Sequence, residues 1–224
     1  MDDRPLFIAA IEEEIAPLRR RLASANDPRE VTVVGDGAVR AARGLARELD
    51  ARSEPPAAIV VVGFAGALAT DLVVGTVTTA VTVREGRSAV LVPDPEWRAR
   101  AEAAGASPCT LISAPRLIAT PEDRRTLRAA HHPPPEVVDL ETAALIGVSV
   151  ERGLPWCVLR AITDAASDAL PTSLVRAERE DGSINRGRVV RGALLRPWTI
   201  PSLWDLRHRA RTAAAALAET ALRL

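Results

Sequence analysis

Ala58-Ile59-Val60-Val61-Val62, running into Gly63-Phe64-Ala65-Gly66-Ala67, is the stretch on which the fold turns. Its first half is uninterrupted apolar sequence, β-branched from Ile59 to Val62, with none of the polar alternation of a strand that faces water. Such a run reads as a strand buried on both faces, and its second half as a glycine-containing loop at the strand's carboxyl end. A strand covered on both faces needs helices on both faces, and the flanking sequence supplies them. Upstream, Leu6–Ala10 reads as a strand leading into a helix over Glu12–Leu22. Val31–Val34 reads as a strand that turns at Gly35-Asp36-Gly37 into a helix over Ala38–Leu49, with Val39, Ala42, Leu45, Ala46 and Leu49 on one face. Downstream, Val73–Val83 and Ser88–Val92 are β-rich and hairpin-like about Glu85-Gly86-Arg87. A helix over Pro95–Ala104, a strand over Thr110–Ser113 and a helix over Pro121–Ala130 capped by Thr120 follow. After the connector His131-His132-Pro133-Pro134-Pro135 come a strand (Val137–Leu140), a helix (Glu141–Arg152) closed by Gly153, and a strand (Pro155–Ile162). Leu170–Ile200 is irregular or partly helical, and Ser202–Leu224 is an alanine-rich helix. Strands alternating with helices predict one α/β domain over residues 1–224: a twisted, mixed, mostly parallel sheet flanked by helices on both faces.

Composition narrows the chemistry. All 29 basic residues are arginine, and they balance 29 acidic ones. With no lysine there is no Schiff base and no Walker-type phosphate lysine. With no tyrosine there is no phenol acid or base. Zero net charge argues against a nucleic-acid footprint. Two cysteines and three histidines do not make a disulfide framework or a metal site, so no metal is expected. The acidic start lacks the basic region of a signal peptide, and the apolar run Ala57–Ala69 is too short to span a bilayer. A cytoplasmic protein without a membrane span is the expectation.

In α/β sheets, ligands gather outside the carboxyl ends of the strands. Three acids sit there: Glu14 after the first strand, Glu141 after Val137–Leu140, and Asp164 after Pro155–Ile162. Beside apolar sequence each can have its pKa raised by desolvation. Each is also explicable as a first-turn helix acid or a turn residue, so spacing alone leaves an enzyme of unspecified reaction.

The spelling of these segments says more. Ala10-Ile11-Glu12-Glu13-Glu14-Ile15 resembles the A-M-E-E-E-[VI] opening of methylthioadenosine/S-adenosylhomocysteine nucleosidases. Val62-Gly63-Phe64-Ala65-Gly66-Ala67-Leu68 resembles their T-G-[ST]-A-G-G-L loop. Val138-Asp139-Leu140-Glu141-Thr142-Ala143-Ala144 resembles V-[DE]-M-E-[GA]-[TA]-A, and Arg160-Ala161-Ile162-Thr163-Asp164 resembles R-[AG]-[IV]-S-D. The order and approximate spacing agree from about residue 6 to residue 168, as in the wider nucleoside phosphorylase/nucleosidase superfamily. The resemblance implies cleavage of the N-glycosidic bond of a purine nucleoside, adenine above all, with no cofactor. It makes Asp164 the acid at the base, Glu141 the ribose ligand and Glu14 the residue that positions water. It places Leu140 under the ribose, Phe64, Ala65 and Gly66 close to the nucleoside, and Leu117 and Ile118 against the base. Thr163 takes the position of a serine beside the acid. Arg160 becomes either a ligand contact or an ion-pair buttress. A homodimer is implied as well.

Water is favoured over phosphate as nucleophile because the Glu12-Glu13-Glu14 block is intact. Phosphate as co-substrate, using Arg40 and Arg43 after the glycine turn, is the alternative; a nucleoside-binding relative without turnover is another. Phe64 and Ala67 depart from the family's small residues. The tail, with Asp168-Ala169-Leu170-Pro171, Asp181-Gly182 and Leu194–Pro201, resembles the hopanoid-associated nucleosidases. That likeness implies an apolar 5′ pocket lined by Trp198, Leu203 or Trp204.

Overall fold

The computed structural model describes residues 4–86, 90–179, 182–185 and 200–224, the side chains of the last segment from residue 203 on. The elements are β1 (Pro5–Ala9), α1 (Glu12–Ser24), β2 (Glu30–Val33), α2 (Ala38–Asp50), β3 (Ala58–Ala67), β4 (Val77–Glu85), α3 (Pro95–Ala103), β5 (Ser107–Ser113), α4 (Pro121–Ala129), β6 (Val137–Asp139), α5 (Thr142–Glu151), β7 (Trp156–Asp164), α6 (Thr172–Val175) and α7 (Ile200–Arg223).

The strands form one mixed seven-stranded sheet in the order β2-β1-β3-β6-β5-β4-β7, and β7 also pairs with β3. The extra pairing closes β3, β6, β5, β4 and β7 into a ring, from which β1 and β2 extend as an open wing. β3 makes this possible by changing neighbours along its length. One flank pairs with β1 in parallel over Ala58–Val61 and with β6 in antiparallel at Gly66–Ala67, while the other flank follows β7.

Both faces of the sheet are covered. Leu6, Ile8, Ile59, Val61, Trp156 and Val158 point to one side, where they pack with Ala41 and Leu45 of α2 and with Leu145 and Ile146 of α5. Their chain neighbours Phe7, Val60, Val62, Cys157 and Leu159 point to the other side, against α1, Trp97 of α3 and the Ala213–Ala221 stripe of α7. Each fully buried Val, Leu or Ile contributes about 1.5–3 kcal/mol. This two-sided burial is why the strand sequences lack alternation.

Three local expectations are corrected. β3 runs to Ala67 and β7 to Asp164, past the glycines and polar residues expected to end them, because each supplies the other's ladder partners. Of the hairpin expected about Gly86, one antiparallel bridge, Val83 to Leu91, is formed among the described residues, which leave out 87–89; β4 otherwise pairs in parallel with β5 and in antiparallel with β7. On α2 the buried stripe is Ala41 and Leu45, and Val39 projects into solvent. Leu170–Ile200, expected to be irregular or partly helical, carries α6 and a bridge between Glu178 and Ile184; residues 180–181 and 186–199, Trp198 included, lie outside the described ones.

Candidate active site

The site lies where β3 changes partners. Between Val61 and Gly66 neither β1 nor β6 flanks the strand, and the Phe64 amide in that gap donates to Glu14 Oε1 at 2.9 Å. Glu14 occupies the third position of α1, from which its Oε2 reaches back to accept from the amides of Ala10 and Ile11, each at 3.1 Å. One carboxylate thereby satisfies donors from a strand and from a helix N-terminus, which also favours an anion there. Burial raises the Glu14 carboxyl above its ordinary value, opposed by the charge of Arg160 and by these three amides. About four lone-pair positions exist on a carboxylate, so one remains for a ligand.

Asp164 is aimed by a bulge. Ala65 pairs with Ile162 but Gly66 pairs with Asp164, leaving Thr163 as an extra residue in β7. On a regular strand Thr163 and Asp164 would face opposite sides; the bulge turns both into the same cavity. Thr163 Oγ1 donates to Asp164 Oδ1 at 2.7 Å. Oδ2 pairs with Arg124 Nη2 of α4, and Arg124 Nη1 also donates to the carbonyls of Ala67 (3.1 Å) and Ala165 (2.9 Å). Gly66 makes room: a Cβ there would lie 2.7 Å from Asp164 Oδ2 and 3.3 Å from Arg124 Nη1.

Glu141, just ahead of α5, accepts from the Gly37 amide at 3.2 Å. Burial, then the charges of Asp139 and Glu14, push its carboxyl up to about 8, against the opposing charge of Arg160. Beneath it, Arg160 Nη2 pairs with Asp139 Oδ2 at 2.5 Å, both side chains 1% exposed. Arg160 also donates to Thr142 Oγ1 from Nε (3.1 Å) and Nη2 (2.6 Å), and Ser113 Oγ donates to Asp139 Oδ1 at 2.6 Å. Arg160, proposed as a ligand contact or an ion-pair buttress, is held in the ion pair with Asp139 and is not among the residues lining the cavity described next.

Glu14, Glu141 and Asp164 converge on one cavity of about 650 Å³, with Phe64, Ala65, Gly66, Leu117, Ile118, Leu140 and Thr163 in its wall. Leu170, Leu174, Ile184, Leu203, Leu206 and Ala210 add an apolar share to its wall, with Arg207 beside them. Leu203 therefore stands where an apolar pocket was expected, whereas Trp204 is 63% exposed and outside the lining. The segment carrying α6 and Ile184 is fastened at two points. The Leu117 amide donates to Glu178 Oε1 at 2.6 Å, and the Ile184 amide donates to Asp36 Oδ2 at 2.7 Å. The first bond uses the amide of Leu117, one of the two residues expected against the base.

Sequence reasoning missed Arg124, and also the wall positions of Asp36 and Asp139. Arg124 is the one buried residue of α4, and its only sequence signal is an arginine on the inward side of a helix with little other apolar content. Arg40 and Arg43, the candidates for phosphate, are exposed on α2 and do not reach the cavity.

This mixed sheet with a closed ring, α-helices on both faces and acids at the strand ends is shared in fold with solved nucleosidase structures. Among solved structures, the chain is similar to the 5′-methylthioadenosine/S-adenosylhomocysteine nucleosidase of Neisseria meningitidis in complex with methylthio-immucillin-A. The TM-score is 0.74 and the identity 18%, over 99% of this chain and 97% of that one. It is similar to the corresponding Colwellia psychrerythraea nucleosidase in complex with adenine (TM-score 0.75, 17% identity, 100% and 94% covered). The futalosine hydrolase of Helicobacter pylori shares the fold too (TM-score 0.70, 16% identity, 99% of both chains). No protein-family model and no curated protein matches the sequence.

Proposed function

We propose that this protein hydrolyses the N-glycosidic bond of a purine nucleoside, with adenine as the base released. The observation that carries the reading is the convergence of Glu14, Glu141 and Asp164 on a single cavity that also has many apolar side chains in its lining. Cleavage needs negative charge accepted at the base and positive charge tolerated at the sugar. Asp164 takes a proton from water and passes it to N7 as the bond breaks. Glu141 accepts from a ribose hydroxyl and, as carboxylate, faces the oxocarbenium-like sugar. Glu14, with one lone pair unused by its backbone donors, orients the attacking water. Leu140, Leu117 and Ile118 supply the apolar surface for sugar and base, while Arg160 and Asp139 hold the floor beneath Glu141.

Water is favoured over phosphate by a specific observation. The Gly37 amide, the anion donor of the glycine turn, already serves Glu141, and the neighbouring Asp36 places a carboxylate in the wall. The apolar lining from Leu170, Leu174, Ile184, Leu203 and Leu206 supports a nucleoside with an apolar 5′ substituent, in keeping with the tail's likeness to hopanoid-associated nucleosidases. The same reading carries a cofactor-free cytoplasmic enzyme acting as a homodimer.

The test is release of free base from adenosine, methylthioadenosine, adenosylhomocysteine, inosine and an alkyl-extended adenosine, with and without phosphate. Adenine release that phosphate does not accelerate, lowered about 10²–10⁴-fold by Asp164→Asn, is the expected result. Phosphate-dependent release of ribose phosphate overturns hydrolysis. Undiminished turnover in the variant overturns the role of Asp164.

A further inference from the structure

The ion pair between Arg124 and Asp164 is costly to the fold and idle in the chemistry assigned so far. Arg124 is 1% exposed, and its Nε has no hydrogen-bond partner among the described residues. A buried ion pair replaced by apolar side chains of similar volume is often neutral or stabilising, so packing alone does not account for an arginine here. Its guanidinium is fixed independently of Asp164, since Nη1 is anchored on the carbonyls of Ala67 and Ala165 at the ends of β3 and β7. Gly66 leaves the space that lets the pair close. Arg124 therefore determines where the carboxylate points, and it places a fixed positive charge on the side of the cavity where the proposed leaving base gathers negative charge.

We propose that Arg124 is the positioning residue of the leaving-group end of the site, acting through Asp164 to stabilise the departing base. This rests on the hydrolytic reading above. No bond to Arg124 forms or breaks; the proton that reaches N7 comes from water and is relayed through Asp164, which is a carboxylate again afterwards, and Arg124 keeps its charge throughout. Because it acts through Asp164, the effect is felt where the leaving group must be protonated, which makes it separable from a merely structural role.

The experiment compares wild type, Arg124→Met, Arg124→Lys and Asp164→Asn, with the double variant Arg124→Met/Asp164→Asn. The substrates are a purine nucleoside that the wild type cleaves and 4-nitrophenyl riboside, whose leaving group needs no protonation. Circular dichroism and thermal melting check that each variant folds. For Arg124→Met, kcat on the purine nucleoside falls about 10²-fold with KM little changed, the size seen when one preorganised donor is removed. Its kcat on the nitrophenyl substrate changes less than threefold or so on the same argument. Arg124→Lys recovers part of the purine activity, and Arg124→Met adds little to Asp164→Asn because the two act as one unit.

Equal losses on both substrates, or full additivity with Asp164→Asn, overturn the assignment while leaving the hydrolytic reading intact. A folded wild type that releases no base from any nucleoside overturns the hydrolytic reading and the assignment together.

Discussion

Replacing Glu141 with glutamine alters the pH dependence of stability in a way the geometry specifies. The glutamine side chain keeps a carbonyl oxygen that can accept from the Gly37 amide, so the substitution removes a titrating group with little change of contact. In the folded protein the Glu141 carboxyl titrates at about 8, against 4.5 ordinarily. The native state thus holds a proton that the unfolded chain has released, and stability falls as pH rises between those two values. The full contribution is present below pH about 4.5 and lost as pH passes about 8. Integrated from pH 5 to pH 9, the loss is roughly 4 kcal/mol, a large part of the total stability of a domain.

Urea unfolding of both proteins at pH 5, 7 and 9 measures it. Wild type loses roughly 4 kcal/mol more than Glu141→Gln across that range, and the variant is the more stable protein at pH 9. Parallel profiles for the two proteins overturn the buried placement of Glu141. The same titration bears on turnover. At pH 7 only about a tenth of the free protein carries an ionised Glu141, so kcat/KM for the nucleoside rises with pH toward about 8.

Three further outcomes follow from neighbouring contacts. Asp139→Ala strips Arg160 of its buried partner and lowers stability by about 3–5 kcal/mol, read by urea unfolding. Gly66→Ala drives a Cβ against Asp164 Oδ2 and Arg124 Nη1, so kcat for base release drops by about 10²-fold, as when one aligned group is misplaced. Leu203→Trp fills space beside the apolar lining of the cavity; KM rises for an alkyl-extended adenosine and stays near wild type for adenosine, as steady-state kinetics on the pair checks.

The fold was legible where burial is two-sided. Ala58–Val62 and Pro155–Ile162 announce central strands because neither face meets water, and the ligand rule for strand ends then singles out Glu14, Glu141 and Asp164. What stayed hidden depends on pairings between residues distant in sequence. The continuation of β3 through Gly63 and Gly66 makes sense only once β7 lies beside it, and the bulge at Thr163 is a property of two strands in register. The antiparallel attachment of β4 and β6, which closes the ring, leaves no mark in either strand's own composition. Arg124 was invisible for the same reason: its role comes from the ends of β3 and β7, and a chain with 29 arginines gives no cause to choose one. Resemblance carried residue roles further than periodicity could, but it did not separate Arg160 as buttress from Arg160 as ligand. The Asp139 partner two residues before Glu141 did so.

The amide of Phe64 is secured by a side chain where its neighbours on β3 have strand partners. A ladder amide exchanges with solvent only when strands part. This one is released whenever Glu14 turns away or gives up its charge. In hydrogen–deuterium exchange it therefore reports on a single carboxylate, within a strand whose other amides report on the stability of the whole sheet.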